Sequence, residues 1–252
     1  MFATPLFVIA ALAAGTDTLR LTVGSPEVDL SGMLPHVARV TVERLIDGEW
    51  QSVVQWTNTL EVADSRARPV HRWTTIGQRA ASTNQPPTWE LYQTFDAKSI
   101  APLGLRRTLA GGGSLQLAFD GPRIHGTQRA GDGTETPVNI ELSQAAFPAS
   151  ASDLVPMAVR LEEGMVMTAP VWQFGMPDAE TRVFTVLGKR DVTVEGTTWN
   201  AWAVEERAVR NGGLTFIGTW YIVEEPPYMV YAEVVGPGGV QQRMSEVLVE
   251  NP

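Results

Sequence analysis

The chain has 252 residues, a hydrophobic fraction of 44% and no cysteine. A chain of this length buries enough apolar surface to fold without disulfides or a metal, and this hydrophobic fraction is too high for a disordered protein. The absence of cysteine excludes cysteine nucleophiles, zinc ribbons and iron–sulfur sites. The formal net charge is −9, and lysine occurs only at Lys98 and Lys189. Because no basic face is available, nucleic acid and anionic membranes are disfavoured as partners.

The N-terminus resembles a processing segment. Residues 6–14 (LFVIAALAA) form an apolar run too short to cross a bilayer, and Ala11-Leu12-Ala13 is a small-x-small pattern of the kind that signal peptidase cuts. We therefore predict a signal peptide over 1–14, a periplasmic or secreted protein without an N-terminal lipid anchor, and a single domain over 15–252. The residues before the run include no Lys or Arg, so a buried first strand or helix is the alternative.

Alternation of apolar and polar residues dominates the rest of the chain. It runs through 88–95, 114–119, 138–142 and 214–222, and a period of two predicts half-buried strands. In the last of these runs one face is predicted to carry Leu214, Phe216, Trp220 and Ile222.

Short turn sequences separate these strands. They include Asp47-Gly48, Asp120-Gly121, Asp132-Gly133 and Asn211-Gly212, whose residues supply the positive φ angles of tight hairpins. A long succession of hairpins must curl or close to protect its edges. The predicted fold class is all-β and mainly antiparallel, a strongly curved meander sheet or an open or half barrel.

One segment departs from the strand pattern. Residues 152–161 have helical apolar spacing, with Ser152 as a candidate N-cap, Asp153 in the first turn and Pro156 close to the start. We predict one short helix here, within a topological hinge over 147–164.

From about Trp73 onward the chain resembles DUF3108-like bacterial proteins of unknown function, which are similar in architecture to LolA/LolB-type lipoprotein carriers. The stretches that carry the resemblance are 89–96, 100–103, 115–121, 124–126, 153–164, 199–205, 218–223 and 229–233. The resemblance implies a curved antiparallel sheet around an apolar groove, an envelope location and a lipid-like or other apolar ligand. An enzyme of pigment biosynthesis also has this general fold, so the fold leaves catalysis open.

No motif identifies an active site, a metal site or a cofactor. His36, His71 and His125 do not form a metal-ligating pattern, and no G-x-S-x-G elbow or nucleotide-binding glycine loop is present. The adjacent carboxylates Glu162-Glu163, Glu205-Glu206 and Glu224-Glu225 point to opposite faces of a strand, and we predict that they are solvated.

The aromatic content is the unusual feature. Eight tryptophans suit either a large core or a ligand groove, because indole rings combine rigid apolar area with a polar handle. Neighbours such as Trp220 and Tyr221 point to opposite faces, which favours a sheet covered on both sides. The predicted ligand-binding residues are Trp89, Trp172, Phe174, Trp202, Trp220 and Tyr221.

Three functions remain open from the sequence. The first is an envelope protein that binds a lipid or other apolar molecule without catalysis. The second is an enzyme that uses the same groove with a histidine or a carboxylate as acid–base group. The third is an interaction module that pairs with another envelope protein through an edge of its sheet.

Overall fold

The computed structural model describes residues 18–65, 68–79, 89–109, 111–236 and 239–250. The predicted signal peptide, 1–14, lies outside the described residues. The first half of the chain forms β1 (Leu19–Arg20), β2 (His36–Ile46), β3 (Glu49–Ser65), β4 (Arg68–Arg79), β5 (Trp89–Asp96), β6 (Pro102–Leu109), β7 (Ser114–Asp120), β8 (Arg123–Arg129) and β9 (Glu135–Glu141). The second half forms β10 (Phe147–Pro148), a 3₁₀ turn (Ala149–Ala151), α1 (Leu154–Met157), β11 (Val166–Trp172), β12 (Glu180–Val194), β13 (Thr197–Arg210), β14 (Gly213–Ile222), β15 (Met229–Val235) and β16 (Gln241–Glu250).

All sixteen strands belong to one sheet, which confirms the predicted fold class. Two antiparallel meanders, β2 to β9 and β11 to β16, follow the chain order, and the pairing of β16 with β2 joins them. Residues that pair across strands share a face, so the register defines an inner face across the whole sheet. On β14, β16, β2 and β4 this inner face carries Trp220, Met244, Val42 and Gly77.

The sheet curls but its ends do not pair. In the described part of the chain β9 is one end of the strand order, and β1 and β10 pair in parallel with β11 at the other end. Residues 142–146 alone carry the chain from β9 to β10, which limits the gap to roughly 20 Å. Side chains fill this gap in a hydrophobic cluster of Leu117, Ile124, Val138, Leu142, Ala146 and Trp172.

The predicted helix is present but short. Residues 154–157 are helical, and the backbone N–H of Asp29 donates to the carbonyl of Ala158 at 2.8 Å. This bond places the segment before β2 at the end of the helix. The helix stops at Met157, although the helical spacing of apolar residues continues in the sequence to Leu161. Asp153 occupies the N-cap position rather than the first turn, and the Ser152 hydroxyl lies 3.4 Å from both Ala149 O and Glu206 instead of capping the helix. The longest helix is therefore α1, and no helix in the described residues is long and apolar enough to cross a membrane.

The prediction that one face of β14 carries Leu214, Phe216, Trp220 and Ile222 was wrong for Leu214, whereas Phe216, beside a β-bulge, borders the same inner cavity as Trp220. Trp220 pairs with Val204, whereas Phe216 pairs with Arg207, and the register shifts between these pairs. A β-bulge adds one residue to one strand and changes the phase of its alternation. The alternation in the sequence is interrupted here by the apolar neighbours Phe216 and Ile217 and by Gly218, and the register with the neighbouring strand decides where the phase changes.

Gly126 marks a close approach of backbones in the β7–β8 hairpin. A Cβ atom on Gly126 would lie 1.9 Å from the carbonyl oxygen of Gln116, and backbone atoms cannot move away as a flexible side chain can. We expect Gly126→Ala to lower the free energy of unfolding by about 1–3 kcal/mol, as overpacking does elsewhere. Urea denaturation measures this loss.

Gly104→Ala is the matched control. The nearest atom to a Cβ on Gly104, in β6, is Leu117 O at 3.7 Å, an ordinary contact. Equal denaturation midpoints for the two variants would contradict the close approach at Gly126.

Candidate functional site

The inner face of the sheet encloses a cavity with two connected parts. The larger part, the main cavity, has a volume of about 950 Å³ and is lined by residues that include Trp89, Leu91, Leu105, Arg107, Leu115, Leu117, Ala149, Trp172, Phe174, Arg182, Arg210, Trp220 and Met244. The smaller part, the polar chamber, has a volume of about 250 Å³ and adds Asn58, Thr75, Gln93 and Asp153 to the lining. Seven residues line both parts, among them Trp89, Ala149 and Trp220. These volumes are those of sites that hold small organic molecules.

Tight local packing holds the tryptophans of the main cavity. Trp89 lies against Gly77, where a Cβ would come within 2.3 Å of the indole, and its ring meets Trp56 edge to face at 5.8 Å. Trp172 is 2% exposed, and its indole N–H donates to Met176 O at 3.1 Å. The ring of Phe174 stands perpendicular to that of Trp172 at 6.1 Å. These contacts fix the orientation of Trp89 and Trp172, while Phe174 is 41% exposed at the margin of the wall.

Four of the six predicted ligand-binding residues lie together in this wall. Trp89, Trp172, Phe174 and Trp220 all line the main cavity. The structure does not bring the other two to it. Trp202 lies beside Met33 and Tyr228 in a separate groove, with the Lys189 ammonium 5.1 Å from its ring centroid.

Tyr221 lies on the opposite, outer face of the sheet. It pairs with Tyr231, with ring centroids 5.5 Å apart, in a polar groove of about 800 Å³. An ion pair between Arg39 and Glu195 at 2.7 Å links β2 to the β12–β13 hairpin near this groove. The prediction that Trp220 and Tyr221 serve different faces of the sheet is thus confirmed.

A buried charge network forms one side of the main cavity. Glu206 is fully buried and accepts hydrogen bonds from Arg182 Nη1 at 2.6 Å and from the Trp220 indole N–H at 2.8 Å. Arg182 also donates from Nε to Glu180 at 2.8 Å, and Glu180 accepts from Arg210 at 2.8 Å. Two carboxylates and two guanidinium groups therefore compensate each other and fix the Trp220 ring.

This network corrects the prediction that Glu205-Glu206 is a solvated pair. The two carboxylates do point to opposite faces, as predicted, and Glu205 binds Arg207 at the outer face. Glu206, however, is buried against Arg182, which lies 24 residues earlier in the chain. No local signal marks that partner, so the burial of Glu206 could not be predicted from the sequence.

Hydrogen bonds between side chains line the polar chamber. Asn58 donates to Glu246 at 3.0 Å and accepts from the Thr75 hydroxyl at 3.0 Å. Across the chamber, the Ser150 hydroxyl donates to the Gln93 amide oxygen at 2.6 Å. These groups satisfy each other and place polar side chains in a lining that otherwise consists mainly of tryptophan, leucine, methionine and alanine.

Burial raises the pKa of two carboxyls at this end of the cavity. Burial, together with the negative charge of Glu206, raises the pKa of Asp153 to about 7. Burial also raises the pKa of Glu246 to about 8, with a further contribution from Asp153. Asp153 lines the chamber, so a carboxyl that titrates near neutral pH faces the cavity.

The histidines lie away from the cavity. His36 is fully buried, with its ring edge to face against Trp73 and Tyr228 and Nδ1 at 3.1 Å from Leu34 O. His71 is 3% exposed, and His125 is exposed on β8. No cluster of three His, Cys, Asp or Glu side chains suited to a metal ion occurs in the part of the chain that the structure describes.

Comparison with known proteins gives a fold but no family. No protein-family model and no curated protein matches this sequence. The fold is similar to that of a β-barrel-like protein. That protein belongs to the domain of unknown function DUF1849 and comes from Brucella abortus; the TM-score is 0.52 at 9% identity, over 89% of this chain and 99% of that chain.

A second solved structure is the hypothetical lipoprotein YmcC from Escherichia coli. Its TM-score is 0.35 at 13% identity, over 87% of this chain and 86% of that one. The similarity to the DUF1849 protein shows a barrel-like antiparallel fold, and the DUF3108-like resemblance stays a prediction.

We expect Arg182→Met to destabilise the protein strongly. The substitution leaves Glu206 buried without its cation, which costs about 3–5 kcal/mol of unfolding free energy. Adding Glu206→Gln should restore part of the loss, since the uncompensated charge is then gone. Urea denaturation of the single and double variants measures both effects.

Arg207→Met is the control for that series. Arg207 binds Glu205 at 2.7 Å on the outer face and is 40% exposed, so its loss should cost less than about 1 kcal/mol. If Arg182→Met were as mild as Arg207→Met, the buried network would not contribute to stability as described.

The raised carboxyl pKa values predict a loss of stability as pH rises. Below the ordinary values of 3.8 and 4.5, Asp153 and Glu246 are protonated in both the folded and the unfolded chain. Above those values the unfolded chain releases the protons, while the folded chain keeps them up to about pH 7 and 8. The contribution of these carboxyls to stability is therefore complete at low pH and is lost as pH rises through the folded values.

Asp153→Asn tests this pH dependence. Burial lowers the pKa of His36 and of His71, so these histidines make the unfolding free energy rise with pH. This rise is the same in the variant and in the unsubstituted protein, and it cancels in their difference. The unfolding free energy of the variant relative to the unsubstituted protein should rise between pH 5 and pH 8. A constant difference over that range would contradict a proton on Asp153.

Proposed function

We propose that this protein binds a lipid-like or other apolar ligand in the main cavity and carries out no chemistry on it. The observation that carries the proposal is the cavity itself, about 950 Å³ with an aromatic wall of Trp89, Trp172, Phe174 and Trp220. Phe174 is 41% exposed, so this space opens to solvent and a ligand can enter it. A retained apolar cavity is typical of a binding site.

We also propose that the protein acts in the cell envelope and is related to the DUF3108-like proteins. The apolar run over 6–14 and the small-x-small pattern near its end support export. The shared barrel-like fold is consistent with this placement and with the predicted relationship.

Native mass spectrometry of the protein purified from its own compartment, followed by organic extraction, tests binding directly. We expect an apolar species bound at close to one molecule per chain. A mass equal to that of the chain alone, with nothing recovered in the organic phase, would refute the proposal.

A cavity-filling variant locates the site. Ala149 lines both the main cavity and the polar chamber, so the ring of Ala149→Phe would occupy the space that they share. We expect about tenfold weaker binding of a neutral apolar fluorescent probe, in line with the cost of overpacking.

Ala130→Phe adds the same ring at an exposed position between β8 and β9 and should leave probe affinity unchanged. Equal affinity in the two variants would place the probe outside the cavity.

Acid–base catalysis in the same cavity is a second candidate, and one observation favours it. Asp153 lines the chamber with a pKa of about 7, close to the value that suits a general acid or base. If the extracted ligand is chemically changed on incubation with the protein, but not with Asp153→Asn, the protein is an enzyme.

The third function, pairing through a sheet edge, receives less support. The terminal strand β9 carries Glu135, Pro137 and Glu141. Charges and proline on an edge strand oppose the addition of another strand.

A further inference from the structure

Charge is distributed unevenly along the cavity. The residues that line the main cavity include three arginines and no carboxylate. Two of these arginines, Arg182 and Arg210, are compensated by Glu180 and Glu206. The third is Arg107.

Arg107 is the uncompensated cation at the opening of the cavity. The register places it on the inner face, because it pairs with Leu91 on one side and Leu115 on the other. It is exposed, so it lies where the main cavity meets solvent. Within the described residues no carboxylate forms an ion pair with it.

The deep end of the cavity has the opposite character. Asp153 lines the polar chamber, close enough to Glu206 and Glu246 for their charges to interact. The chamber lining contains no Lys or Arg. An anionic group placed there would lose its hydration and meet a carboxyl without gaining a cation, which is strongly unfavourable.

We propose that the ligand is a single-chain amphiphile with an anionic head group, bound with its chain in the main cavity and its head at Arg107. This inference rests on the proposed function and adds the chemical class and the orientation of the ligand. A guanidinium donates paired hydrogen bonds to a carboxylate or a phosphate, so the shared chemistry is an anion at the end of an apolar chain.

Competition for the bound apolar probe tests the proposal. Dodecanoate, dodecyl phosphate, dodecanol and dodecylamine share one chain and differ in head group, and each is used below its micelle concentration. We expect dodecanoate or dodecyl phosphate to bind about tenfold more tightly than dodecanol and dodecylamine, which is the size of one charge-assisted hydrogen bond. Whichever anion binds more tightly identifies the head as a carboxylate or a phosphate.

Arg107→Gln and Arg106→Gln form a matched pair. The two arginines are consecutive on β6, and Arg106 lies on the outer face with its guanidinium 5.7 Å from the Tyr92 ring centroid. Arg107→Gln should lower the affinity for both anions to that for dodecanol, whereas Arg106→Gln should keep the preference for an anion. Thermal denaturation confirms that both variants are folded.

Two results would overturn the inference in distinguishable ways. If all four amphiphiles bind with equal affinity, or dodecylamine binds most tightly, the cavity is a binding site but the head is not an anion at Arg107. If neither the probe nor any amphiphile binds, the proposed function fails and the orientation fails with it.

Discussion

The pairing of β16 with β2 is the contact on which the rest of this structure depends. It joins the last strand of the chain to the first long one, with Glu246 opposite Val40, and so converts two meanders into one sheet. Each meander alone would expose a long edge, which favours aggregation. Once joined, the sheet has enough strands to curl around an interior, and the face that carries Trp220, Met244 and Trp89 becomes concave. The ion pair between Arg243 and Glu43 at 2.6 Å supports the same seam from the outer face.

The interior that this seam creates is not filled as an ordinary core. One part is densely packed, with Phe184, Phe147 and Met167 almost inaccessible to solvent. The other part retains space beside a buried charge network and two carboxyls with raised pKa values. Burying such groups is costly, and apolar residues of similar size would stabilise the fold more. Their presence next to the cavity is the pattern expected where structure serves binding rather than stability alone.

Trp220 shows how the two parts are coupled. Its ring lines the cavity, while its indole N–H is held by Glu206, which is in turn held by Arg182. The position of an apolar wall residue is thus set by a charge network behind it. A fold shared at 9% identity with a β-barrel-like protein from Brucella abortus preserves the curved sheet, but it carries no information about this arrangement.

The sequence by itself predicted the all-β fold class, four of the strands, several of the turns and part of the cavity wall. Alternation identifies β5, β7, β9 and β14 because a half-buried strand must repeat every two residues, and the glycine turns between them follow from local backbone sterics. The same patterns led to four wall residues, Trp89, Trp172, Phe174 and Trp220.

Only the tertiary structure decided which strands meet and which polar groups are buried. Arg243 and Glu43 are 200 residues apart, and no local pattern specifies that pairing or the bulge that reverses the alternation in β14. Glu206, Asp153 and Arg107 look like ordinary surface residues in the sequence. Distant strands supply the neighbours of these side chains and bury the two carboxyls. A raised pKa, or the lack of an ion-pair partner, therefore arises only in the folded protein.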